Sequence, residues 1–297
     1  METEFDVIVV GGGPAGLSAA LYLGRARRSV VVVDEGTPRH AVSDGVRNFL
    51  TRDGMAPAAL RVAAWDQMAP YATVQRHAGR VDALRRDGTR WHAALSDGGT
   101  IVARAVLLAT GVVDEHPDIP GYVERWGRSI HHCPFCHGWE MRDRSLAVLI
   151  DPAMGVHLPY MLRGWSSDVV VLTHGRALTA EQRGELDAND LTVFEASVSE
   201  LRGPDGALSE IALADGTVLA REGLFVAAPQ HLPPFVASLG LALTDQGYVA
   251  VDPMHQTNLP MLWVAGDLTS RFQQVLEAAA QGGRAAAGIQ RAFLFES

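Results

Sequence analysis

The sequence predicts an α/β protein of two Rossmann-like, doubly wound, three-layer domains, the second inserted into the first. Three observations predict it. Near the start, a strand of the buried type runs into a glycine-rich turn and a helix; a second strand–helix–strand unit begins at Ser145; a further strand and a long helix follow it. The expected boundaries are 1–117 with 246–297 for the first domain and 118–245 for the inserted one.

Taken in order, Phe5 to Val10 is a continuous apolar run rich in β-branched residues, as expected of a strand covered on both faces in a parallel sheet. Gly11-Gly12-Gly13-Pro14-Ala15-Gly16 follows, then a helical stretch from Leu17 to Arg25, then a strand from Ser29 to Val33 that ends at Asp34. This β-GxGxxG-α-β-acid order is the dinucleotide fingerprint in its required context. The first glycine permits the tight turn, the second lets the backbone approach a pyrophosphate, the third allows close helix–strand packing, and Asp34 is placed to accept from a ribose hydroxyl. Val74 to Ala109 reads as short strands with turns at Asp87-Gly88 and Asp97-Gly98-Gly99. The second unit comprises Ser145 to Ile150, Gly155 to Arg163 and Asp168 to Thr173, and its likeness to the first hints at a duplicated architecture. A strand from Met261 to Ala265 and a helix from Gln273 to Phe293 close the pattern.

The 297 residues suffice for two cores, and 47% apolar with 20% charged residues is ordinary globular composition. A formal charge of −9 argues against nucleic acid or an anionic membrane as partner. There is no lysine, a bias of composition to which no function attaches. METEFDVIVVGGG lacks the basic and apolar regions of a secretory signal, and no apolar run reaches the ~20 residues of a membrane span. The expected location is the cytoplasm, where a close cysteine pair reads as catalytic or metal-binding.

That pair lies in HHCPFCHG, residues 131–138, among three histidines. Locally, CxxCH admits a c-type haem attachment site, part of a zinc site, or a redox dithiol. Haem attachment needs export. A zinc ion wants four ligands around it, and donors packed into seven residues, with no second pair elsewhere, surround one ion poorly, so no metal is expected.

VVGGGPAG near the start, VLLATGVVDEHPDIPG at 106–121, CPFCHG, and WVAGDLTSRFQQVLEAAAQGGRAAA at 263–287 occur in one order, and with them the chain resembles the low-molecular-weight thioredoxin reductase family essentially end to end. The resemblance implies FAD in the first domain, a disulfide between Cys133 and Cys136 that exchanges electrons with it, and a homodimer. It carries Gly11, Gly13, Pro14, Ala15 and Gly16 over to the FAD pyrophosphate and Asp34 to the adenosine ribose. Val81 and Ala109-Thr110-Gly111 line the cofactor, Gly266-Asp267 meets the ribityl chain, and Gln273, Gln274 and Val275 open a helix beside the flavin ring. Cys136 is then the thiol against the flavin and Cys133 the one that meets substrate. The reductases usually carry an aspartate after the second cysteine; here His137 is the expected acid/base, able near its ordinary pKa of ~6.5 to take and give a proton. His131 and His132 are expected in the loop or the substrate pocket.

The inserted domain departs from the reductase pattern where NADPH should bind. Ile150-Asp151-Pro152-Ala153-Met154-Gly155 replaces the GxGxxA turn, and Thr173-His174-Gly175 replaces the His-Arg-Arg that grips the 2′-phosphate. Electrons are therefore expected to run from a substrate dithiol through the cysteines to FAD and on to O2, giving H2O2. This resembles the flavin-dependent dithiol oxidases that close disulfides in natural products such as gliotoxin and holomycin. Those also carry CxxCHG, and Arg39 to Asp53 looks like their counterpart. The expected partners are a small-molecule dithiol, O2 and a second copy of the chain. The alternatives are a disulfide reductase fed by NADPH or ferredoxin, and a flavin redox sensor without turnover.

Overall fold

The computed structural model describes residues 4–295. The first stretch of chain forms β1 (Glu4–Val10), α1 (Pro14–Arg25), β2 (Val30–Asp34), α2 (Pro57–Met68), β3 (Val74–Ala78), β4 (Val81–Asp87), β5 (Arg90–Leu95) and β6 (Thr100–Leu108). Four strands run parallel in the order β3-β2-β1-β6. Side chains alternate between the faces of β1: Val7 and Val9 enter one apolar cluster, Ile8 and Val10 the other. Both faces are covered, which is why the run is apolar without interruption. At ~1.5–3 kcal/mol for each fully buried aliphatic side chain, such strands hold the sheet between its layers. β5 pairs antiparallel with the first half of β6, and β4 with β5, so this meander curls off the parallel sheet.

The chain then forms β7 (Val113–Asp114), β8 (Ile130–His131), α3 (Pro134–His137), β9 (Leu146–Leu149), α4 (His157–Leu162), β10 (Val169–Leu172), α5 (Ala180–Asp187), β11 (Thr192–Phe194), β12 (Val198–Arg202), β13 (Glu210–Leu213), β14 (Val218–Ala220) and β15 (Gly223–Val226). A second parallel sheet has the order β11-β10-β9-β15-β8, and β12-β13-β14 form an antiparallel meander. Leu146 and Val148 pack with Leu158, Leu162 and Leu186 of the helices, whereas Ala147 and Leu149 pack with Leu201, Ile211 and Leu213 of the meander. The last elements are β16 (Gln230–His231), α6 (Pro234–Ala237), β17 (Leu262–Val264) and α7 (Val275–Phe295). β17 lies parallel to the second half of β6, and α7 joins α1 in covering the first sheet.

Each parallel sheet thus carries helices on one face and a meander on the other, the duplicated α/β architecture that the two strand–helix–strand units foreshadow. One compact unit comprises the chain up to Ala41, Asn48–Val113 and the part from His231 onward; the other comprises Val42–Arg47 and Asp114–Gln230. The sequence pattern places the inserted domain at 118–245. Residues 231–245 instead pack with the first unit, because Val236, Leu239 and Leu241 fill the core beneath β4 and β5. Val42–Arg47 joins the second unit, with Val42 against Gly127. The closing helix starts at Val275 rather than Gln273, whose amide bonds to the Arg271 carbonyl at 2.9 Å and leaves the Gln274 carbonyl to accept from Ala278.

Candidate active site

In the first unit, Gly11 follows β1 with φ +107°, and a Cβ there would run into the Ala109 carbonyl; one on Gly16 would meet the Gly11 carbonyl. Gly13 faces open space, so its backbone can be approached closely by a ligand at the N-terminus of α1. Asp34 ends β2 and accepts from the Gly12 amide at 3.0 Å. Its other oxygen pairs with Arg61 of α2, which also donates to the Gly36 carbonyl at 3.1 Å. The fold therefore brings Gly11–Gly16, Asp34, Ala109-Thr110-Gly111 and Gly266 together at the carboxyl ends of β1, β2, β6 and β17, where open α/β sheets bind ligands. Val81, at the start of β4, is buried in the apolar cluster that holds Ile8 and Val10.

Beyond β17, the buried Gln281 side chain accepts from the Gly266 amide at 2.7 Å and the Thr269 hydroxyl at 2.8 Å, fixing the Gly266-Asp267 loop. Arg39 donates to Gln273 at 2.5 Å and pairs with Asp267 at 3.3 Å. Sequence reasoning missed Arg39, Arg61 and Gln281 as individuals. Arg39 lies in a segment the sequence had marked; Arg61 and Gln281 sit mid-helix with no local signature. The open Gly13 backbone and the polar groups on this edge fit a dinucleotide pyrophosphate and ribose.

In the second unit, Cys133 and Cys136 form a disulfide with Cα atoms 5.3 Å apart. Cys133 precedes α3, Pro134 takes the first helical position, where its missing N–H costs nothing, and the Cys133 sulfur accepts from the Cys136 amide at 3.2 Å. Cys133 is buried at 9% exposure and Cys136 half-buried, so a substrate-meeting role for Cys133 requires its exposure during turnover. His137 ends α3. Its ring stacks on His131 with centroids 4.0 Å apart, and its Nε2 lies 3.2 Å from the Ser43 hydroxyl. Burial lowers the His137 pKa, with Glu140 and Asp44 pulling it back and Arg47 adding to the depression. Burial drives that of His131 down to about 2. His132 stacks on Trp126 instead, 5.9 Å away. Glu140 is held by Arg47 at 3.1 Å. No group of three or more His, Cys, Asp or Glu able to hold a metal ion occurs among the described residues.

After β9, the Asp151 carboxylate accepts from the Ala153 amide at 3.0 Å and caps a short 3-10 turn that starts with Pro152. After β10, His174 takes a left-handed conformation (φ 52°) and its Nδ1 accepts from the Val198 amide at 2.9 Å, while Arg176 follows Gly175.

The model of the pyridine nucleotide-disulphide oxidoreductase family matches residues 5–282. The chain belongs to that family. Thioredoxin reductase aclD of Aspergillus oryzae is 34% identical over 98% of this chain and 97% of that protein; thioredoxin reductase sirT of Leptosphaeria maculans is 31% identical over 96% and 93%. The crystal structure of HlmI superposes with a TM-score of 0.94 at 37% identity, covering all of this chain and 94% of that one. The protein is a thioredoxin reductase-like, FAD-dependent thiol/disulfide oxidoreductase. FAD supplies a two-electron partner for a dithiol/disulfide pair. The described residues hold no helix long and apolar enough to cross a membrane.

Proposed function

We propose that this oxidoreductase closes a disulfide in a small-molecule dithiol, using Cys133–Cys136 as the exchanging disulfide and O2 as the final acceptor. The observation that carries the reading is the turn after β9. A phosphate needs free backbone amides there; this turn spends the Ala153 amide on the Asp151 carboxylate, presents negative charge, and loses a donor at Pro152. The exchanging disulfide remains intact. An enzyme with the dithiol half of the machinery and a spoiled nicotinamide half is best supplied with electrons by thiols.

The chemistry balances as dithiol + O2 → disulfide + H2O2. A substrate thiol gives its proton to neutral His137, and the thiolate attacks the Cys133 sulfur. The Cys133–Cys136 bond breaks, its electron pair leaving on Cys136. The second substrate thiol attacks the mixed disulfide, and its proton goes to the Cys133 thiolate that it releases. Gly11–Gly16, Asp34 and the Gly266 loop would hold FAD, which would supply the two-electron chemistry that links the reduced Cys133 and Cys136 to O2. The wide coverage and identity of the relatives named as thioredoxin reductases support the dithiol–flavin half of this scheme. A cytoplasmic homodimer belongs to the same reading, and light scattering of the holoenzyme tests the dimer.

The test is anaerobic addition of NADPH, then of dithiothreitol, to the yellow protein. Bleaching by the dithiol alone, with rapid recovery and peroxide on readmitting air, is the expected result. Rapid bleaching by NADPH returns the protein to the reductases, and slow reoxidation in air points to a ferredoxin-type partner.

A further inference from the structure

Ser43 lies far from the cysteines in sequence, in the Val42–Arg47 segment that packs with the second unit. Its hydroxyl makes three contacts: 2.9 Å to the Gly45 carbonyl, 3.4 Å from the Gly45 amide, and 3.2 Å to Nε2 of His137. A hydroxyl has one proton and a carbonyl oxygen can only accept. With its proton given to the Gly45 carbonyl, the hydroxyl can act toward His137 only as acceptor. Nε2 must be the donor, so it carries the ring proton.

We propose that Ser43 is a positioning residue: it holds His137 as the Nε2–H tautomer and thereby makes Nδ1 the nitrogen that takes the thiol proton. Nδ1 of His137 is buried and makes no hydrogen bond, which suits a lone pair kept for transfer. The His131 ring, stacked on that of His137 with centroids 4.0 Å apart and planes 13° apart, fixes the plane of the ring. The charged groups around His137 are Glu140, Asp44 and Arg47, and Arg47 pairs with both carboxylates, at 3.1 Å each. None of them competes for Nε2. The inference rests on the reading of His137 as the proton carrier in dithiol exchange.

The test uses ¹⁵N-histidine-labelled holoenzyme, with the His137 ring signals assigned by their loss in His137→Gln. Wild type should give a protonated Nε2 and an unprotonated Nδ1. Ser43→Ala should scramble the tautomer and slow dithiothreitol reduction of the flavin about tenfold, well short of the ~10²–10⁴-fold effect of removing a proton-transfer group. Ser43→Thr, which retains the acceptor, should restore both. A proton on Nδ1 in wild type, or an unchanged tautomer in Ser43→Ala, overturns the proposal. If no dithiol reduces the wild-type flavin, the oxidase reading fails, and the tautomer signals still decide what Ser43 does.

Discussion

His137 and His131 share one stacked arrangement but serve different ends. His137 has a pKa lowered by burial, so in the proposed mechanism it would meet an incoming thiol as the neutral base. The acid limb of dithiol-driven flavin reduction should therefore lie below the ordinary histidine value of ~6.5. Stopped-flow rates from pH 5 to 8 check this, and a limb above 7 contradicts it. His137→Ala should cost ~10²–10⁴-fold while FAD stays bound. Cys136→Ser should abolish the long-wavelength thiolate–flavin band; persistence of the band would reverse the order of the two cysteines. For His131 the consequence is stability. Its folded pKa lies far below its unfolded value, so between the two the unfolded chain binds the extra proton and stability falls as pH falls. Urea midpoints below pH 6.5 should thus decline less steeply in His131→Phe, by up to ~1.4 kcal/mol per pH unit.

At the level of elements, the turn between β1 and α1 separates two kinds of glycine. A methyl on Gly16 collides with the Gly11 carbonyl, so Gly16→Ala should destabilise the fold itself by ~1–3 kcal/mol. A methyl on Gly13 meets nothing within 4 Å, so Gly13→Ala should leave the apoprotein's melting temperature unchanged and weaken FAD binding alone. Thermal melts with and without FAD separate the two; equal destabilisation of both apoproteins would contradict the cradle. β1, β2, β9 and β10 were legible because each is a short apolar run buried on both faces. The start of α7 was less so, since Gln273 and Gln274 are helix-compatible and only the bond of the Gln273 amide to the Arg271 carbonyl marks the loop.

At the scale of the whole molecule, two units each have their own apolar clusters, and the residues that fit FAD lie in one of them. Calorimetry of the apoprotein should resolve two transitions. FAD should raise one of them, by ~2.7 kcal/mol when its free concentration is a hundred times Kd. A single transition that moves as a whole means that the cores melt together.

The sequence by itself determined what is local. The GxGxxG turn, the strand periodicities, the CxxC spacing and the altered residues at Asp151 and His174 all act within a few residues of where they stand in the chain, and short-range stereochemistry dictates their form. Only the tertiary structure decided the long-range pairings: Ser43 with His137, Arg61 with Asp34, and Gln281 with the Gly266 loop. It also drew the boundary at Gln230 rather than 245. Serine, arginine and glutamine fit helix and loop surfaces alike, so their spacing carries no signal. Their partners are chosen by which parts of the chain fold together, and that is fixed by packing of the cores.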